Sequence, residues 1–327
     1  MIGPVPLSTR AGKKETGMQK GKRHMVKAIA AVDIGGTKIA VGAVSETGTV
    51  LNRMECATAP KDGFASAVGR IQEMLHVAGI GLEFEGVGIA CPGPLDPFTG
   101  ILGEIGTLPG WQGANLLAGL GNEFGTRIAV ENDADAAAIA EMNAIPSGTN
   151  GCFLYVTVST GIGGGILFSG RLYRGAGGSH PEIGHQIIDA SGPQCYCGVH
   201  GCWESLASGA AMSEWIGVQR PSLSEITAEG ICALARNRDS LAERAVEREG
   251  YYLGLGLANL VTLFSPTNII LGGGLMRSST LFLDHALQVV REKCTQVPAE
   301  KTRIASAALG ADAGLVGAAQ AWFLKYR

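Results

Sequence analysis

The chain has no apolar run approaching the roughly 18 residues of a membrane-spanning helix, and its N-terminus lacks the apolar core of a secretory signal. Both absences point to a cytoplasmic protein with no membrane partner. It has little net charge, −3, from 26 Lys and Arg against 29 Asp and Glu. Residues 1–25 hold six of the basic residues and one acid, which leaves −8 on the remainder. The body therefore has no electrostatic footprint for nucleic acid. No GxxxxGK[ST] occurs, which excludes a P-loop of the Walker kind.

What is abundant is glycine. The 49 glycines are about twice the count expected at a typical usage of ~7%, and they follow no strict period. Glycine is thus used locally, for turns and close backbone approach. With 327 residues the chain suits two α/β lobes or one large one. Residues 1–25 show no apolar period and are expected to be a disordered tail.

The opening "VKAIAAVDIGGTKIAVGAVSETGTVLNRMECATAP" predicts strand, glycine turn, strand, turn, strand. "FASAVGRIQEMLHVAGI" has apolar residues at helical spacing and ends in glycine. "FEGVGIACPGPLDPFTG" predicts a buried strand entering a Pro/Gly loop, and "IAVENDADAAAIAEM" a short strand feeding an alanine-rich helix. "CFLYVTVSTGIGGGILFSGRLYRG" then repeats the opening grammar, which suggests an internal duplication with one glycine hairpin per lobe. A long helix, a strand "NIIL" with a third glycine turn, and a C-terminal helix follow.

Each glycine turn has two readings. Asp33, Gly35, Gly36, Thr37 and Lys38 form either a plain hairpin or a phosphate cradle in which N–H groups converge on an anion. Thr160, Gly161, Gly163 and Gly164 occupy the matching place in the second repeat, and a matched pair could clamp a polyphosphate. Gly273 and Gly274 form either a tight turn or a flat surface for a nucleotide. In "VENDADAAAIAE", Asn132 and Asp133 stand where strand meets helix. Capping is one role; taking a proton from a substrate hydroxyl that attacks a phosphoryl group is the other, for Asp133.

Eight cysteines in a reducing compartment read as thiols or metal ligands before disulfides. Five are scattered. Cys195, Cys197 and Cys202 instead lie in "HPEIGHQIIDASGPQCYCGVHGCWE", His180 to Glu204, with three histidines and two glutamates.

Taken in order and spacing, "DIGGTK", "CPGPLD", "TLPGW", "ENDADAAAIAE", "STGIGGGI", "PEIGH", "CYCGVHGCWE" and "GGGL" resemble the ROK family of bacterial sugar kinases and sugar-responsive repressors. The resemblance covers essentially all of residues 26–327. It implies an α/β, actin-like ATPase fold with ribonuclease H-like duplicated lobes, a cleft between two domains and a structural zinc loop. The expected division is a tail at 1–25, a small lobe at 26–132 onto which a helix at about 312–327 packs back, and a larger lobe at 133–311 holding the zinc loop.

The resemblance also implies transfer of the ATP γ-phosphoryl group to a hexose hydroxyl with Mg2+. Asp133 matches the general base, and the first two glycine turns match the phosphate loops. Gly93, Thr107, Asn132, Glu182, His185 and Glu204 match sugar contacts; many members have Asn where this chain has Thr107. His185, Cys195, Cys197 and Cys202 match the zinc ligands, and a Cys3His set is a closed tetrahedral structural site. His180 and His200 compete as ligands and are expected to be surface or loop-packing side chains. One nitrogen of His185 is expected on zinc and the other toward the sugar.

Repressors of the family carry a winged helix-turn-helix before the first strand, which 25 polar residues cannot form, and both phosphate loops are intact here. A kinase is therefore expected, with no nucleic-acid partner. Glucose leads the expected acceptors, followed by N-acetylglucosamine or N-acetylmannosamine, then mannose, fructose or allose. ATP or polyphosphate could be the donor, and a homodimer is usual in the family.

Overall fold

The computed structural model describes residues 25–124, 127–145 and 151–327. The expected tail, apart from the exposed Met25, lies outside the described residues.

Two five-stranded sheets carry one topology twice. β1 (Val26–Ile34), β2 (Lys38–Val44), β3 (Val50–Ala57), β4 (Leu82–Cys91) and β5 (Ile128–Asn132) form the first, in the order β3-β2-β1-β4-β5. β6 (Cys152–Val158), β7 (Ile162–Phe168), β8 (Arg171–Leu172), β9 (Asn268–Gly272) and β10 (Arg303–Ser306) form the second, in the order β10-β9-β6-β7-β8. Each begins with an antiparallel hairpin, closed by Ile34 opposite Ile39 in one and Val158 opposite Ile162 in the other. Each continues through parallel crossovers, β1 to β4 to β5 and β6 to β9 to β10. The duplication expected from the two glycine hairpins is thus present in the strand order itself.

The strands at the centre of the two sheets, β1 and β6, are buried over most of their length, hence their apolar runs. α1 (Phe64–Ala78) and α2 (Leu116–Phe124) cover the first sheet, while α4 (Trp203–Ala207), α5 (Gly209–Gln219), α6 (Ala228–Arg236), α7 (Ser240–Phe264) and α8 (Leu283–Lys293) build the second half.

Two helices pass between the halves. α3 (Asp133–Ala144) leaves the first sheet's last strand yet packs on β6 and β7 of the second. α9 (Ala313–Tyr326) leaves the second sheet's last strand and packs on β1, β4 and β5 of the first. They also pack on each other, so closely that a Cβ on Gly317 would lie 2.0 Å from the Ala136 carbonyl oxygen. The run of alanines in α3 follows from this: the helix is buried nearly all round, and larger side chains would separate it from both neighbours. Glu141 on α3 is buried and accepts the backbone N–H groups of Ala308 and Leu309, both at 2.9 Å, which ties the chain after β10 back to α3.

Candidate active site

The C-terminal ends of β1, β4, β5, β6 and β9 bring the glycine turns and the Asn132–Asp133 junction together, the usual place for a ligand in an α/β sheet. At the end of β5, Asn132 caps α3: its Oδ1 accepts the N–H groups of Ala134 at 2.9 Å and Asp135 at 3.2 Å. Capping thus falls to Asn132. Asp133 is the first residue of the helix, and its Oδ1 also accepts from Ala134, at 2.8 Å.

Burial pushes the Asp133 carboxyl above the ordinary carboxylate range, against the pull of the Ala134 N–H and of His180. Asp33, at the end of β1, is raised to about 7 by burial and then by Asp133. The N-terminal turn of α9 sits directly on it, since a Cβ on Gly314 would fall 2.3 Å from Asp33 Oδ2. Two carboxyl groups that repel each other's charge therefore share this part of the cleft.

The first turn is tight: the Gly35 N–H donates to the Lys38 carbonyl at 2.9 Å, and Thr58 Oγ1 donates to the Gly35 carbonyl at 2.6 Å. Gly36 packs against Thr107, whose Cβ would be 2.7 Å from a Cβ on the glycine. Lys38 Nζ lies 2.7 Å from Glu55 Oε1, so its ammonium is engaged across the β2–β3 ladder. On the next strand end, Gly93 faces the Asn132 side-chain amide.

The second turn meets Glu204. Glu204 Oε2 accepts the Ile162 N–H at 2.6 Å, and a Cβ on Gly161 would lie 2.1 Å from the same oxygen. Burial raises the Glu204 carboxyl, opposed by the Ile162 N–H and His185. Gly163 and Gly164 lie within β7; Gly164 is buried under Ile183, so its missing side chain serves packing, whereas a Cβ on Gly163 would meet its neighbours at 3.5 and 3.8 Å. Beside this turn is a cavity of about 450 Å³ lined by Ser159, Thr160, Ala210, Gly274, Arg277 and Ser278 among others. Gly273 has φ 94° and lies against the Val158 carbonyl, which brings the third turn to the same place. A larger cavity, about 920 Å³, between α7 and α8 holds none of the expected site residues.

His185, Cys195, Cys197 and Cys202 converge, with ligand atoms all within 4.8 Å of one another. Cys197 Sγ and Cys202 Sγ are 3.6 Å apart, as are Cys195 Sγ and His185 Nδ1. Tetrahedral zinc with Zn–S bonds of about 2.3 Å and Zn–N of about 2.0–2.1 Å requires edges of about 3.8 and 3.6 Å. Those two edges match that ion, and the remaining ones, all within 4.8 Å, leave the four donors placed to close on it. The loop is a small hairpin, with Gln194 opposite His200, and Cys202 leads directly into α4. Trp203, fully buried, anchors it on α7, where Gly256 leaves room for the indole.

The second nitrogen of His185, Nε2, lies 3.0 Å from the Tyr196 hydroxyl. His200 is a loop-packing side chain, as expected, with its Nδ1 on the Gly192 carbonyl at 3.1 Å. His180 is not a surface residue; its Nδ1 is 2.9 Å from Asp135 Oδ2, both groups largely buried. That pair, and the neighbouring Glu131–Arg174 pair, escaped the sequence reading. The cluster "ENDAD", with four polar residues entering a buried helix, was the available signal.

A ROK family model matches residues 29–325. The chain belongs to the ROK family. This ROK protein is 30% identical over 312 residues to the glucokinase of Halalkalibacterium halodurans, across 90% of its own length and 94% of the relative's. Its fold matches that of a ROK hexokinase from Thermus thermophilus, with a TM-score of 0.81 and 34% identity, over 91% of this chain and 98% of the other. It also matches a ROK family glucokinase from Streptomyces griseus in complex with glucose and AMPPNP, with a TM-score of 0.77 and 32% identity, over 90% and 98%. The actin-like fold expected from the sequence is the fold of this chain. Among the described residues no helix is long and apolar enough to cross a membrane.

Proposed function

We propose that this ROK protein is an ATP-dependent sugar kinase whose preferred acceptor is glucose, giving glucose 6-phosphate. The observation that carries this reading is the placement of Asp133 at the β5–α3 junction, beside Asp33 and between the two glycine hairpins. The glucokinase and hexokinase relatives support the sugar class. In this reading the sugar lies against Gly93, Thr107, Asn132, Glu182, His185 and Glu204. ATP lies along Gly35–Lys38 and Thr160–Gly164, with its base over Gly273–Gly274 in the 450 Å³ cavity.

The proton of the sugar hydroxyl passes to an Asp133 carboxylate oxygen as the hydroxyl oxygen bonds the γ-phosphorus and the bond to the ADP oxygen breaks. Turn N–H groups absorb charge on the transferring group, and closure of the two halves excludes water. The halves are proposed to divide as 26–132 with 312–327, and 133–311. Glu204 touches both the second glycine turn and the zinc hairpin, so it links sugar contact to phosphate contact. Lys38, held by Glu55, supports this reading only as part of the turn.

Asp33 offers hard oxygen ligands facing Asp133, a donor set suited to Mg2+, which would draw charge off the phosphoryl group. The Cys3His cluster is proposed to hold a structural Zn2+ that splints the hairpin next to Glu204. A cytoplasmic homodimer is proposed on the family resemblance alone, and light scattering checks it.

The test is ADP release coupled to a panel of hexoses and N-acetylhexosamines under magnesium-ATP. Glucose is expected to give the highest kcat/KM. A higher value for an N-acetylhexosamine, mannose or fructose would move the substrate. No release with any sugar, together with binding to operator DNA, would replace the kinase by a regulator. Activity with polyphosphate but not ATP would change the donor.

A further inference from the structure

Two buried acids flank Asp133 at equal spacing, and one stretch of the second half supplies a cation to each. Glu131, 5% exposed, accepts from Arg174 Nη2. Asp135, 1% exposed, faces His180 Nδ1 at 2.9 Å. Between these cations the chain turns sharply: the Gly175 N–H donates to the Ser179 carbonyl at 2.7 Å, and Gly177 and Gly178 have φ of 67° and 87°. Its other side rests on Phe98, whose ring would be 2.8 Å from a Cβ on Gly178 and whose centre is 6.0 Å from the Arg174 guanidinium. Residues 174–182 are thus a strap, pinned at both ends to the segment that carries Asp133 and running straight into Glu182.

We propose that His180, held by Asp135, is a positioning residue that fixes the first turn of α3 and keeps Asp133 ionised as a proton acceptor. The inference rests on reading Asp133 as the base. Asp133 stands among Asp33 on β1, Cys91 on β4, Tyr155 on β6 and Asp135 on α3, none of which favours its charge, while Glu131 on β5 and Glu182 on the strap face His180. The nearby cations are otherwise engaged, Arg174 with Glu131 and Lys38 with Glu55. Among the described residues, His180 is the cation whose charge acts on Asp133. Burial pulls its pKa down, but the Asp135 hydrogen bond and the charges of Asp135, Glu182 and Asp133 outweigh that and raise it. Without this cation, one of the crowded carboxyls takes up a proton.

His180→Gln keeps a donor for Asp135 and removes the charge. In the full chain its kcat/KM profile against pH should shift its acid limb up by about one unit, so activity there falls about tenfold while the alkaline plateau stays within about threefold. Sugar KM on the plateau should stay near wild type. A profile that coincides with wild type, or a loss seen only as a lower melting temperature, would overturn the proposal. Should the variant fold poorly, 15N spectra of the wild-type imidazoles decide: His180 doubly protonated at pH 7 supports the proposal, and neutral His180 refutes it. Absence of any activity in wild type would instead sink the kinase reading, so the two failures are separate.

Discussion

Gly165→Ala probes how the base-bearing helix is seated. Gly165 lies in β7 opposite Tyr155 and faces α3. A Cβ there would be 2.5 Å from Ala138 Cβ and 3.0 Å from both the Ala134 carbonyl oxygen and Asp135 Cα. Carbon atoms need about 3.5–4.0 Å, so α3 must retreat by about 1 Å. No rotamer change can relieve the clash, because the obstructing atoms are backbone and a Cβ. Retreat is opposed on the far side by α9, where Gly317 already touches Ala136. Overpacking of this kind costs about 1–3 kcal/mol. The first turn of α3 carries Asp133, and a 1 Å displacement of a catalytic group can cost about 100-fold in rate. Denaturant melts and kcat by ADP release should therefore both fall. Gly69→Ala is the control: it sits in α1 with no atom within 4 Å of the new methyl, and should gain about 0.5–1 kcal/mol with kcat unchanged. A Gly165→Ala protein within about 0.5 kcal/mol of wild type and of equal kcat would refute the reasoning, since ordinary surface substitutions do no more.

Metal analysis of purified protein should find about one zinc per chain, the content of a single four-ligand site. Cys197→Ser should lower both that content and sugar affinity; zinc-free but active wild type would remove the structural-zinc reading. Glu249 on α7 is 1% exposed with neither carboxylate oxygen partnered, and burial raises its pKa from 4.5 to about 8 despite Arg248. A raised folded-state pKa means stability is full below the unfolded value and is lost as pH rises through about 8. Wild type should lose up to about 4 kcal/mol between pH 4.5 and 8 relative to Glu249→Gln, read from paired melts. Parallel curves for the two proteins would show that Glu249 does not titrate in this window.

The duplicated hairpins were legible because each couples a buried apolar strand to glycines at a turn, and that grammar is local. The Asn132 cap and the Cys3His set were legible for the same reason, since their spacing is fixed within one helix start or one loop. The Lys38–Glu55 pair was not legible because it depends on register: Lys38 opposite Ala57 places Glu55 on the same face, diagonal to it. The engagement of Glu204 by Ile162 joins residues 42 apart. The two strap pairs join residues 43 and 45 apart. Such contacts come from long-range packing, about which local pattern is silent. The glycines of β7 show the converse, where a turn-like sequence serves the close approach of α3 and Ile183.

The central claim is that Asp133 takes the hydroxyl proton in a sugar kinase. Its most direct test compares Asp133→Ala with wild type in ADP release under saturating magnesium-ATP and the best acceptor, with sugar binding followed by calorimetry. Turnover should be lower by about 100-fold or more, with sugar affinity within a few-fold of wild type. Near-normal turnover in the variant would contradict it.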